Sequence, residues 1–161
     1  MAIKSNLFKF AAATGLALSL GSVSVLTMAA EDEHNHSQAV TELQLNNGSK
    51  WGIDAPLSQA MGKISHAVSA EVKSIHADKL TQEKYVALAG VINNQVAYMI
   101  ENCELEPAAD AQLHIIIHDL MDGSAAMENQ VQARDGAVKV INALDNYANY
   151  FDDPKFQSVA H

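Results

Sequence analysis

Apolar residues recur three and four positions apart in four successive segments of the chain, and this repeat constrains the fold more than any other feature. Leu57, Met61, Ile64, Val68, Val72 and Ile75 make the first stripe. Tyr85, Leu88, Ile92, Val96, Met99 and Cys103 make the second, and Leu113, Ile116, Ile117 and Leu120 the third. Met127, Val131, Val138, Ile141, Leu144, Ala148 and Phe151 make the fourth. Such spacing gathers each set on one side of an α-helix. Asp54 is placed to cap the first helix, with Pro56 in its first turn, and Thr81 to cap the second. Pro107 opens the third after the short turn "ELEP". Gly123 is expected to end that helix, Ser124 to cap the fourth, and Gly136 to kink it. Short turns between amphipathic helices make neighbours antiparallel. The expectation is therefore an all-α, up-down-up-down four-helix bundle over residues 51–156, followed by a short tail at 157–161.

The residues before the bundle read differently. "MAIKSNLFKF" carries Lys4 and Lys9 and no acid, an apolar run follows, and "TMAA" offers small residues for cleavage after Ala29 or Ala30. Residues 1–30 therefore read as a Sec-type signal peptide, which implies export to the periplasm. Gly15, Ser19 and Gly21 interrupt the run, which is too short and broken for a lasting membrane anchor. Residues 31–50 are polar and acidic and read as a mobile tail. Cleavage would take ten basic residues to eight against nineteen acids, so the net charge moves from −9 to −11. A chain so acidic has no electrostatic reason to bind nucleic acid or an anionic membrane, and it attracts cations.

Cys103 is the only cysteine, so no internal disulfide can form, although an exporting compartment permits one. Three uses of the thiol stay open: burial, pairing with another chain, or metal binding. The bundle topology compares positions by height. Cys103 lies near the turn at 104–107, Met99 lies one turn before it, His114 lies two turns into the third helix, and Met61 lies two turns into the first. Met61, Met99, Cys103 and His114 thus converge on one end, with Trp51 placed to cover it. Thioether, thiolate and imidazole suit copper(I). Asp110, one turn before His114, can orient the imidazole. Each residue also has an ordinary reading: the methionines fill the core, the cysteine is a small hydrophobe, and the histidine sits at a boundary. His118 shares a face with His114 at i,i+4 and is a weaker candidate. His34 and His36, in the acidic "EDEHNH" segment, offer a loose site for divalent metals.

Several chemistries lack their residues. Ile115 follows His114 where a zinc protease needs Glu. There is no C-x-x-C-H haem-attachment motif, the fourth helix has no histidine to ligate a haem, and none of the four helical segments carries the Glu-x-x-His pair of di-iron bundles. Nothing resembles a catalytic triad, a nucleotide loop or a paired-carboxylate site.

At "KWGIDAPLSQAM", "NCELEPAADAQLH" and "FDDPKF" the chain resembles a family of small exported proteobacterial four-helix proteins. The shared patterns are K-W-x-x-D-x-x-L-x-x-x-M, N-C-x-L-x-P-x-A-D-x-x-L-H and an aromatic-Asp-x-Pro ending, and they span about Lys50 to Phe156. The resemblance implies the fold and the compartment, together with an association of some members with metal resistance and His-rich tails. It supplies no catalytic residues. Trp51, Met61, Cys103, Asp110 and His114 fall on its motif positions, whereas Met99 and His118 do not. Two readings follow. One is a non-enzymatic, periplasmic metal-binding protein, with copper favoured, acting as buffer, carrier or sensor. The other is a structural or protein-interaction module serving a periplasmic partner, in which Cys103 is buried or joins two chains.

Overall fold

The structure, a computed structural model, describes residues 42–160. The expected signal peptide and the part of the tail that holds His34 and His36 lie outside the described residues. Four helices form: α1 (Ala55–His76), α2 (Gln82–Asn102), α3 (Pro107–Glu128) and α4 (Ala133–Tyr150). They pack as a four-helix bundle around one core. Every residue of the first stripe is buried there, as are Tyr85 to Met99 of the second and all four of the third. Among the described residues no helix is long and apolar enough to cross a membrane.

Hydrogen bonds show which helix ends meet. Asp54, before α1, accepts from the backbone N–H of Glu104 after α2 (2.7 Å). Trp51 donates its N–H to the carbonyl of Tyr150 at the end of α4 (2.8 Å), and its carbonyl accepts from Asp152 (2.9 Å). At the other end the Gln82 side chain, at the start of α2, reaches the carbonyl of Met127 near the end of α3 (3.0 Å). Arg134, at the start of α4, reaches the carbonyl of Ile75 at the end of α1 (3.3 Å).

The boundary between α3 and α4 differs from the sequence expectation. Gly123 and Ser124 lie inside α3, which runs on to Glu128. The reason is packing. A Cβ on Gly123 would lie 2.8 Å from the carbonyl oxygen of Gly136. One on Gly136 would lie 2.5 Å from that of Gly123 and 2.7 Å from the Met127 nitrogen. The two glycines let the backbones of α3 and α4 touch, so Gly123 does not act as a stop. An interior glycine costs a helix about 1 kcal/mol relative to alanine, and the close approach offsets that cost. Ser124 bonds inward to Asn93 (2.6 Å) and to the Met121 carbonyl (2.9 Å). Met127 is accordingly a buried α3 residue. Val131 falls in the inter-helix turn and is 91% exposed.

The end of the expected mobile tail is also structured. Asn47 (φ 51°) and Gly48 (φ 88°) are both in the left-handed region, and Asn46 and Ser49 exchange backbone hydrogen bonds across them. Two central residues with positive φ define a type I′ turn, for which Asn-Gly is the favoured pair. The turn brings Gln44 back to Trp51. The Gln44 N–H donates to the buried Gln112 side chain (2.7 Å), and its carbonyl accepts from the Trp51 indole (2.6 Å). The short C-terminal tail likewise packs down: Val159 is buried, and Ser65 donates to the carbonyl of Gln157.

Candidate functional site

The end of the bundle that holds Cys103 is built by residues with two attachments each. Asp54 caps α1 with one carboxylate oxygen, which accepts from the Leu57 N–H at 2.8 Å. Its other oxygen holds the turn after α2 at Glu104. Lys50 donates to the carbonyl of Ala148 (2.6 Å) while Trp51 takes that of Tyr150. These two residues therefore satisfy carbonyls that α4 leaves open at its C-terminus, and the Lys50 charge also suits the negative end of the helix dipole. Beneath them Tyr147 is fully buried. Its ring stacks on Phe151 at 5.2 Å and meets Phe156 edge-on at 4.9 Å. Its hydroxyl donates to Asp153 at 2.9 Å. Burial, followed by the Asp153 carboxylate and its hydrogen bond, pushes the phenol well above its ordinary range.

Cys103 is a free thiol at the C-cap of α2. It is half-buried against the core, and its N–H donates to the Met99 carbonyl at 2.9 Å. Burial first, then the charge of Asp54 and a hydrogen bond with it, then the charge of Asp110, push the thiol up to about 12. It is protonated at neutral pH and a poor nucleophile.

The other expected donors have different surroundings. Met61 and Met99 are closed inside the core. The His114 side chain is 69% exposed. Its Nδ1 lies 2.9 Å from the Asp110 backbone carbonyl and 3.5 Å from the Asp110 carboxylate. Position 114 lies outside the buried arc of α3, which Leu113, Ile116, Ile117 and Leu120 fill, so the imidazole has no room inward. His114 thus faces solvent where Met61 and Met99 are buried in the core. Asp110 is the group both sides feel, as the partner of His114 and as a charge acting on Cys103. His118 is 72% exposed on the next turn, its Nδ1 facing Asp119 at 3.8 Å and Asp122 at 3.9 Å. Trp51 is half-buried and packs against the core. Among the described residues no three His, Cys, Asp or Glu side chains are grouped so as to hold a metal ion.

Asp54 and Tyr147 are the residues that sequence reasoning undervalued. Asp54 showed only its cap role, because its second partner is 50 residues away. Tyr147 was legible, since it lies three residues after Leu144 and four before Phe151. No family model, no curated protein and no solved structure matches the chain.

Proposed function

We propose that the protein is an exported, non-enzymatic metal-binding domain that favours copper(I), with Cys103 as its anchoring donor and Met99 and Met61 as thioether partners. The surroundings of the thiol support this reading. Burial first, and then the carboxylates of Asp54 and Asp110, hold a proton on the sulfur, and the field of the two carboxylates favours a cation that replaces the proton. Thioether and thiolate match a soft monovalent ion better than a hard one. Met99 lies one helical turn before the thiol, and the Asp54–Glu104 bond brings the first turns of α1 level with it. The resemblance to exported proteins associated with metal resistance agrees with this. Uptake releases the thiol proton, so affinity falls in acid.

The test is titration of the purified protein with copper(I) against a competing chelator. One equivalent should bind, and Cys103→Ala should weaken it at least about tenfold. Equal affinity in the two proteins removes the site. A protein-interaction module is the second reading, and the apolar surface at Ile100, 68% exposed in the last turn of α2, favours it. Metal-free purification, a Cys103 inert to thiol reagents, and binding of a partner protein that Ile100→Asp abolishes would establish that reading. Electrophoresis without reductant reports any dimer linked through Cys103.

A further inference from the structure

We propose that the outer face of α3 carries a second metal site, separate from Cys103, in which the Nε2 atoms of His114 and His118 chelate one divalent ion of the nickel, copper and zinc class. The two residues are four apart on a continuous helix, so their side chains stand one above the other on one face, with Cβ atoms about 5–6 Å apart. Both rings are largely in water, at 69% and 72% exposure, so an ion reaches them without opening the fold.

The surroundings of Nδ1 favour one tautomer in each ring. A backbone carbonyl can only accept, so the His114 Nδ1 that lies 2.9 Å from the Asp110 oxygen carries the proton. The Nε2 of that ring is then the atom with the free lone pair. His118 turns its Nδ1 edge toward the carboxylates of Asp119 and Asp122, which favours the same tautomer and leaves its Nε2 with the free lone pair. An Nδ1–H held by a carboxylate or carbonyl is the usual support behind a metal-bound histidine, and it raises the basicity of the ligating nitrogen. Imidazole nitrogen suits nickel, copper and zinc, and carboxylate-preferring magnesium and calcium are excluded by the same preference.

No third His, Cys, Asp or Glu is grouped with the pair among the described residues. The protein therefore supplies two ligands and water completes the shell, which makes the site open and exchangeable. Asp110, Asp119 and Asp122 give the face a negative field. Lys139 of α4 opposes part of it, lying 2.8 Å from Asp122 and 3.9 Å from Asp119.

Nickel(II) is the probe of choice because it leaves the Cys103 thiol unoxidised. The chain carrying His34→Ala and His36→Ala, which removes the tail imidazoles, is titrated by calorimetry. His114→Ala, His118→Ala, Cys103→Ala and the α1 surface control His66→Ala are each added to it. One ion should bind, each α3 variant should weaken it about tenfold or more, and Cys103→Ala and His66→Ala should leave it unchanged. Both α3 substitutions replace exposed side chains, and an unaltered melting curve verifies the fold. Absence of binding, parental affinity in either α3 variant, or an equal loss in Cys103→Ala overturns the proposal. None of these results bears on copper(I) at Cys103, whose test uses a different ion and a different variant.

Discussion

The two ends of the bundle are fastened by different means. At the end that holds Cys103, long-range polar bonds join segments far apart in sequence: Asp54 to Glu104, Lys50 to Ala148, Trp51 to Tyr150 and Gln44 to Gln112. An aromatic group of Tyr147, Phe151 and Phe156 lies beneath them. At the other end the fastening is close backbone approach, Gly123 of α3 against Gly136 of α4. Only a few side chains assist there, such as Gln82 and Arg134, and the 129–132 turn exposes Val131. Side-chain bonds tolerate gradual weakening, one partner at a time, whereas touching backbones tolerate no added atom. Lys50, Trp51 and Asp54 hold the first end shut. Their presence is accounted for by architecture before any ligand is considered.

The contrast can be broken from the largest effect downward. Phe151→Ala empties a fully buried ring site at the Cys103 end and should destabilise the fold by about 3–5 kcal/mol in denaturant unfolding. Gly136→Ala adds one methyl at the other end. The backbone atoms it meets cannot swing aside, so a loss of about 1–3 kcal/mol is expected despite the better helix propensity of alanine. A stabilised Gly136→Ala protein would show that the helices separate freely and that this end is not fastened by close approach.

Asp54→Ala comes next. Loss of the cap alone costs about 0.5–2 kcal/mol, and the Glu104 N–H loses its partner as well. The substitution has a second readout. Removing the carboxylate charge beside Cys103 lowers the thiol pKa, so alkylation at pH 8 should accelerate while the chain remains folded.

The alkaline limb of stability carries a further signature. The folded thiol is raised from 9.0 to about 12, so between those values the unfolded chain binds fewer protons than the folded one. Stability is therefore full below about pH 9 and falls as pH rises toward 12. Tyr147, also raised, acts in the same direction. Cys103→Ala and Tyr147→Phe should each flatten the decline, and a slope unchanged in Cys103→Ala would mean the thiol is not shielded. The smallest effect belongs to Val131→Ser, at a position largely exposed to solvent, which should stay within about 0.5 kcal/mol of the parent. A larger loss would reveal packing in the 129–132 turn.

How much of this was legible in the sequence follows from the range of each interaction. Helical periodicity is local, so Leu57 to Ile75 could be read as one buried face and the number of helices counted. The Asn47-Gly48 turn was equally local, but it stood in a polar stretch that composition alone marked as tail. Gly123 illustrates the converse: beside Ser124 it reads as a stop followed by a cap, and only its approach to Gly136 makes it an interior residue. The direction in which the candidate site residues face was not legible. Spacing along the helix put Cys103, Met99, Met61 and His114 near one end. Whether a ring on the edge of a stripe turns inward depends on how much of the arc its neighbours fill, and Leu113 and Ile117 leave His114 outside.

The sequence by itself determined the four helices, the buried faces of the first three, the acidic charge and the single thiol, because each depends on residues within a turn or two or on a simple count. The stripe expected for α4 included Val131 and Val138, which are exposed, and left out Val140 and Tyr147, which are buried. Tertiary structure alone decided that Asp54 serves two partners, that two glycines join α3 to α4, and that the thiol and the imidazoles have separate surroundings. Those outcomes depend on which surfaces of distant segments come within about 3 Å of one another, and no local pattern encodes that distance.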